Sequence, residues 1–118
     1  MRIDVRIDGI PELKNMIDKD VQRLQEKIDL AVERRTLQMI NETRTKAPVK
    51  TGKLRNSINL IPQETKLMQR AYGTNVEYAR RQEYEHKTKK GFFRTTVAKH
   101  EPLLQKDIRQ IVDGIGGV

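Results

Sequence analysis

The chain has 118 residues, 24 Lys/Arg against 16 Asp/Glu, a net charge of +8, no Cys, no Trp, two Phe and three Tyr. That length and composition permit one domain with a modest core, and they exclude disulfide and thiolate–metal chemistry. No apolar run is long enough to span a bilayer and there is no secretory leader pattern, so a soluble, unexported protein with no membrane partner is expected.

The charge is unevenly distributed. Residues 1–42 carry eight Lys/Arg and nine Asp/Glu, residues 43–100 carry fourteen and four, and residues 101–118 carry two and three. All the positive excess therefore lies in the middle of the chain, which suits either a surface facing phosphate or an acidic partner, or a plain solvated face. With so few large apolar side chains, a monomer of marginal stability is expected, one that association would strengthen.

Residues 2–8 alternate, with Ile3, Val5 and Ile7 on one side and Arg2, Asp4, Arg6 and Asp8 on the other, the pattern of a half-buried strand. Gly9 ends it, and Pro11 suits the first position of a helix. Leu13, Ile17, Val21, Leu24, Ile28, Ala31, Val32, Met39 and Ile40 then recur at three- and four-residue steps, with no Pro or Gly before Pro48. This predicts a long amphipathic helix of about 35 residues, roughly 50 Å. A compact domain of this size measures only about 35 Å across, so the helix bends or projects. A second line, Met16, Leu30 and Leu37, is spaced in sevens with Arg23 in the vacant step. It either widens the core stripe or forms a subunit interface.

Pro48 stops the helix, and the pair Thr51 and Gly52 supplies a turn. Leu54, Ser57 and Ile58 open an extended run, read as a strand over 55–62 with a hairpin partner over 66–73. Arg44, Lys46, Lys50, Lys53 and Arg55 make this stretch strongly basic, and no carboxylate lies between Glu42 and Glu64. A turn at 73–76 leads to one or two helical turns over 77–84 and a basic loop tip over 86–91. Phe92 and Phe93 re-enter the core, with Thr95, Thr96 and Val97 as a further strand. Pro102 opens a last helix whose buried stripe is Leu104, Ile108, Ile111 and Ile115. The fold class expected is α+β in a single domain over 1–118: a long N-terminal amphipathic helix packed on a small antiparallel sheet, with a C-terminal helix.

Motifs for chemistry are absent. There is no His-Glu-x-x-His pattern, no aspartate-rich metal loop, no nucleophile elbow and no phosphate-cradling glycine loop. No catalytic residue, cofactor or metal is therefore assigned. Fourteen cations over 43–100 could neutralise phosphates, but aromatic interleaving for base stacking and a basic helix face for groove insertion are both missing. Contact with a nucleic-acid backbone, without sequence reading, is the most these residues support.

Taken in order, a long N-terminal helix, the stretch Ala47-Pro48-Val49-Lys50-Thr51-Gly52-Lys53-Leu54-Arg55-Asn56-Ser57-Ile58, then Gly73-Thr74-Asn75-Val76-Glu77-Tyr78-Ala79 with Glu83 beyond, and Phe92-Phe93-Arg94 before a C-terminal helix resemble one known family. It is that of the head–tail joining (tail-completion, or neck) proteins of tailed bacteriophages and prophages, and the likeness covers nearly the whole chain. The resemblance implies a non-enzymatic virion subunit in a hexameric ring, partnered by itself, by other neck and tail proteins and by DNA passing non-specifically through the channel. It also implies a virion location, with the host cytoplasm during assembly. Pro48, Thr51, Gly52 and Leu54 would shape the signature loop, and Tyr78, Ala79 and Glu83 the second motif. Where family members carry Gly-Thr after the Glu-aromatic pair and a proline before the Phe, this chain has Glu85-His86 and Gly91.

Clustering alone suggests that Lys46, Lys50, Lys53 and Arg55 face the channel. Within the same class, a tail terminator is the alternative. From a different class, the alternative is a small basic nucleic-acid-binding protein or a toxin-type ribonuclease. The ribonuclease would draw its acid and base from His86, His100, Glu83 and Glu85.

Overall fold

A computed structural model describes residues 1–11, 13, 16–49 and 52–116, the last two without their side chains. The elements run β1 (Arg2–Arg6), α1 (Asp18–Lys46), α2 (Lys53–Ser57), β2 (Asn59–Leu60), a 3-10 turn (Pro62–Glu64), β3 (Gln69–Gly73), α3 (Ala79–Glu85) and α4 (Phe92–Gly116). The three strands form an antiparallel sheet in the order β1-β3-β2, with Ile3 opposite Tyr72 and Leu60 also opposite Tyr72. The α+β class and the expected arrangement of long helix, small sheet and C-terminal helix are as read from the sequence.

The body is a rod of 52 × 25 × 17 Å with a radius of gyration of 16.6 Å. A compact domain of this length has a radius near 13 Å, so the excess reflects a helix that outruns its own globule. Helix α1 is the axis. Its inward stripe is Leu24, Ile28, Ala31, Val32, Thr36, Met39, Ile40 and Thr43, the three- and four-residue spacing of a single helical face. Helix α4 lies antiparallel along it, since Arg35 reaches Asp107 while Glu42 reaches Lys99 and His100. The sheet covers another side of α1, with Tyr72, Phe92 and Phe93 filling the junction. Tyr72 and Phe93 stack with centroids 5.8 Å apart, and Phe92 tilts against Phe93 at 5.2 Å.

Buried ion pairs fix the layers. Arg70, 6% exposed on β3, donates from Nη1 and Nη2 to the two carboxylate oxygens of Asp29 at 2.9 and 3.0 Å. The same Asp29 accepts the Met68 N–H at 2.8 Å. That bond holds Met68 at φ +60, a left-handed conformation uncommon for a side chain of its size. The Arg70 guanidinium hydrogen-bonded to Asp29 holds that carboxyl below the usual range, against the opposing effect of burial.

Four expectations are corrected. The helix begins at Asp18, not near Pro11: Ile17 is extended at φ −74, ψ 154, so Leu13 and Ile17 do not share the α1 stripe. Acidic Asp18 and Asp20 sit where a helix N-terminus favours them. Residues 53–57 are helix, not strand; Gly52 at φ +79 turns the chain into α2, and only Asn59 and Leu60 remain to pair. Residues 92–97 are the start of α4 instead of a strand, because Thr95 and Thr96 return their hydroxyls to the Gly91 and Phe92 carbonyls at 2.7 and 2.8 Å while Phe92, Thr96 and His100 face inward together. Pro102 therefore lies inside α4. It sits on the exposed side with Ala98, so the carbonyl it leaves without a donor meets water.

Candidate functional site: a cleft at the basic end

The C-terminus of α1 is tied down by arginines. Ala47 closes the helix, its N–H donating to the Thr43 and Arg44 carbonyls. The last carbonyls of a helix have no internal donor. Arg55 supplies one, reaching the Thr45 and Ala47 oxygens from Nη2 at 3.3 and 3.5 Å. Arg44 crosses the other way, donating from Nε to the Ile58 carbonyl at 2.7 Å and from Nη2 to Asn59. Both positive charges also sit at the negative end of the helix dipole. Leu54 and Ile58, four apart, bury beneath α2, and the Ser57 hydroxyl bonds Thr74, whose own oxygen accepts the Val76 N–H at 3.0 Å.

Glu83 performs the corresponding task for α4. Its carboxylate is 2% exposed and accepts the Phe93 N–H at 2.8 Å and the Arg94 N–H at 3.2 Å. Two of the orphan donors of the α4 N-terminus are thereby satisfied by one buried anion on α3. Its main-chain oxygen accepts Gly91 N–H at 2.7 Å, with Gly91 at φ +77. This is how the chain closes residues 85–92 without the Gly-Thr and proline of the resembling family. Ala79 is buried, its N–H donating to Val76.

These two constructions face each other across a cleft of about 870 Å³, lined by Pro48, Val49, Gly52, Lys53, Leu54, Tyr78, Gln82, His86 and Lys89. Of the signature residues, Pro48, Gly52 and Leu54 form one wall and Tyr78 the other. Ala79 and Glu83 support that second wall from behind. Thr51 and Lys50 lie outside the described residues. Lys46 pairs with Glu42 at 3.4 Å and Arg55 turns inward to the α1 carbonyls, while Lys53 stands exposed at the rim. On the flank of the rod, Leu30 and Leu37 are 57% and 49% exposed, whereas Met16 packs against the edge of the core.

The four acid–base candidates have separate engagements: Glu83 caps α4, Glu85 pairs with Arg81, and the His86 Nδ1 accepts the Thr88 and Lys89 N–H groups. His100, 5% exposed, joins a polar network between α1 and α4. There Arg35 donates to its Nδ1 at 3.1 Å, so the proton is on Nε2, which donates to Glu42 at 3.2 Å. Burial, and secondarily the Arg35 charge, hold this imidazole below its ordinary pKa despite Glu42.

Sequence reasoning missed Gln82, His86 and Lys89 as cleft wall and missed the Arg35–His100–Glu42 network altogether. The only signal for the wall was that His86 and Lys89 follow a short helix whose inward residue is Glu83. Among the described residues, no group of three or more His, Asp and Glu is placed to hold a metal ion, and no helix is long and apolar enough to cross a membrane. Comparison with known proteins returns no matching family model, no matching curated protein and no matching solved structure.

Proposed function

We propose that this chain is a non-enzymatic subunit of the neck of a tailed bacteriophage or prophage, joining head and tail in a ring around the DNA channel. The observation that carries the reading is the cleft itself. Two stretches more than twenty residues apart, the ones in which the resemblance resides, fold into facing walls at one end of a rod. The body supports it in two further ways: its length exceeds its own core, and Leu30 and Leu37 stand uncovered along α1. Such a subunit is completed by neighbours, and repeated unlike contacts around an axis close into a ring.

The phosphate-facing charge in this reading is the exposed tip, Lys87 and Lys90, in place of Lys46 and Arg55, whose charges serve the protein's own acceptors. Attraction to the backbone without base contacts suits a passage through which DNA must slide. Within the reading, a tail terminator uses the same architecture.

Native mass measurement of the purified protein, alone and with isolated tails and heads, tests it. A monomer or loose oligomer that becomes a ring on one of those partners is expected. RNA cleavage by the pure protein that disappears with His86→Ala or His100→Ala would replace the reading with the ribonuclease one.

A further inference from the structure

Among the described residues, the most exposed large apolar side chain is Ile17, 67% accessible immediately before α1. Asp18 and Asp20 follow it in the first turn of the helix, and Ile17 at the N-cap offers that turn no side-chain hydrogen bond. At the opposite end of the same helix lies the cleft, with apolar walls from Pro48, Val49, Leu54 and Tyr78 and a rim of Lys53, His86 and Lys89. No carboxylate is among its described lining residues. The first surface is apolar with an acidic border, and the second is an apolar hollow with a basic border. They cannot meet inside one chain, because the 29 residues of α1 hold them about 43 Å apart.

We infer that the Ile17 turn of one copy seats in the cleft of the next, with Asp18 and Asp20 against the basic rim. The occupant of the cleft is thus a second copy of this chain. A cleft of about 870 Å³ lies within the ~300–1,000 Å³ of pockets that enclose a small molecule, so it admits the Ile17 side chain together with part of its turn. Unlike surfaces at the two ends of a rod make a head-to-tail contact, which closes into a ring or runs on as a filament. One apolar anchor and two charge pairs make a weak single contact that gains strength when several close together. Ring closure rests on the neck reading; the contact between two copies stands without it.

The chain contains no cysteine, so introduced thiols report position uniquely. Ile17→Cys and Val49→Cys copies, each alone and then mixed, are oxidised mildly and the disulfide-linked dimers are counted. The mixture is expected to cross-link about tenfold faster than either copy alone or than Ile17→Cys mixed with Leu30→Cys, and Asp18→Lys with Asp20→Lys in the Ile17→Cys copy to slow it by a similar factor. Lys53→Glu with Lys89→Glu in the Val49→Cys copy restores it. All three positions are exposed, so loss of folding is not at issue, and circular dichroism of each variant checks it. Equal rates for every pairing overturn the contact. So does indifference to the Asp changes combined with loss of duplex-DNA binding in the Lys variant, which would make phosphate the occupant. If no specific cross-link forms while the protein still assembles on tails or heads, the contact fails and the neck reading survives. A specific cross-link in a protein that binds neither leaves the contact and removes the neck.

Discussion

The middle of the rod and its basic end are held together by different means. Along α1 the apolar stripe, the sheet and α4 form a continuous core, and Asp29–Arg70 and the Arg35–His100–Glu42 network key it from two sides. At the basic end Tyr72, Phe92, Phe93, Leu54 and Ile58 continue that core, and charged side chains there reach main-chain groups: Arg55 and Arg44 to carbonyls, Glu83 to amides. In the middle, charges pair with one another across the layers. At the end, they fasten helix termini. Loss of a key in the middle should therefore be felt globally, and loss of a tie at the end locally.

The largest effect expected is from Asp29→Ala, which leaves the buried Arg70 with only the looser carboxylate contact to Glu33 at 3.9 Å. Removing one partner of a buried pair costs about 3–5 kcal/mol, a large part of the stability of a chain this size. Urea denaturation should show it, and adding Arg70→Met should recover part of it. Next is Glu83→Ala, which strands the buried Phe93 N–H at about 1–3 kcal/mol and frees the half-buried Arg94 N–H to find water. Hydrogen exchange should localise the loosening to the first turn of α4 and to residues 85–91, leaving the Arg70 region protected. Uniform loosening throughout would erase the distinction between the two regions.

Acid sharpens the same comparison. His100 is buried neutral, with its pKa held below the ordinary 6.5 by burial and by Arg35. The Glu42 carboxyl, which burial alone would raise, is brought below 4.5 chiefly by the Lys99 hydrogen bond and the Lys46 charge. For each group the folded pKa lies below the unfolded one, so the unfolded chain takes up protons first and stability falls with pH. The decline begins as pH drops below 6.5 through His100 and continues through Glu42 and Asp29. A urea midpoint that is constant above about pH 7 and falls below it is expected, and His100→Gln should flatten the first part of the fall. A midpoint unchanged from about pH 7 to pH 5 would mean that His100 is not buried neutral.

Much of the fold was legible because its signals are local. Period two over residues 2–8 and the three- and four-residue spacing over 21–40 each state which face is buried. The strand read over 55–62 failed because Leu54 and Ile58 are four apart, a helical spacing hidden within a short apolar run, and Gly52 set the turn. The strand read over 95–97 failed because β-branched Thr95 and Thr96 find acceptors one turn back, and because the cap that permits α4 to begin at Phe92 comes from Glu83, nine residues earlier. Pairing of a carboxylate with distant amides leaves no periodicity in the chain. For the site, the resemblance marked Pro48, Gly52 and Leu54 in one loop and Tyr78 in a second motif, but nothing in the chain said that the two would face each other across a cleft. Lys46 and Arg55 show why a cluster of charges in sequence does not identify a charged surface: the first pairs with Glu42 and the second turns to carbonyls at the end of α1.

The smallest effect on stability should accompany a large one on assembly. Leu30 and Leu37 stand about two turns apart on the flank of α1, more exposed than buried or nearly so. Replacing both by Ser removes little that the monomer uses, so the urea midpoint should move by an amount equivalent to no more than about 0.5 kcal/mol. If the flank is covered by a neighbour, the same change removes apolar contact from every subunit interface at once, and a closed ring multiplies the loss. Native mass measurement on isolated tails or heads should then show fewer bound copies and no complete ring. A double variant that assembles normally would assign Leu30 and Leu37 to plain solvent exposure and leave subunit contact to the two ends of the rod. A variant that unfolds instead would place the two leucines in the core, against their exposure in the structure, and the division between a middle keyed by paired charges and an end fastened through main-chain groups would have to be redrawn.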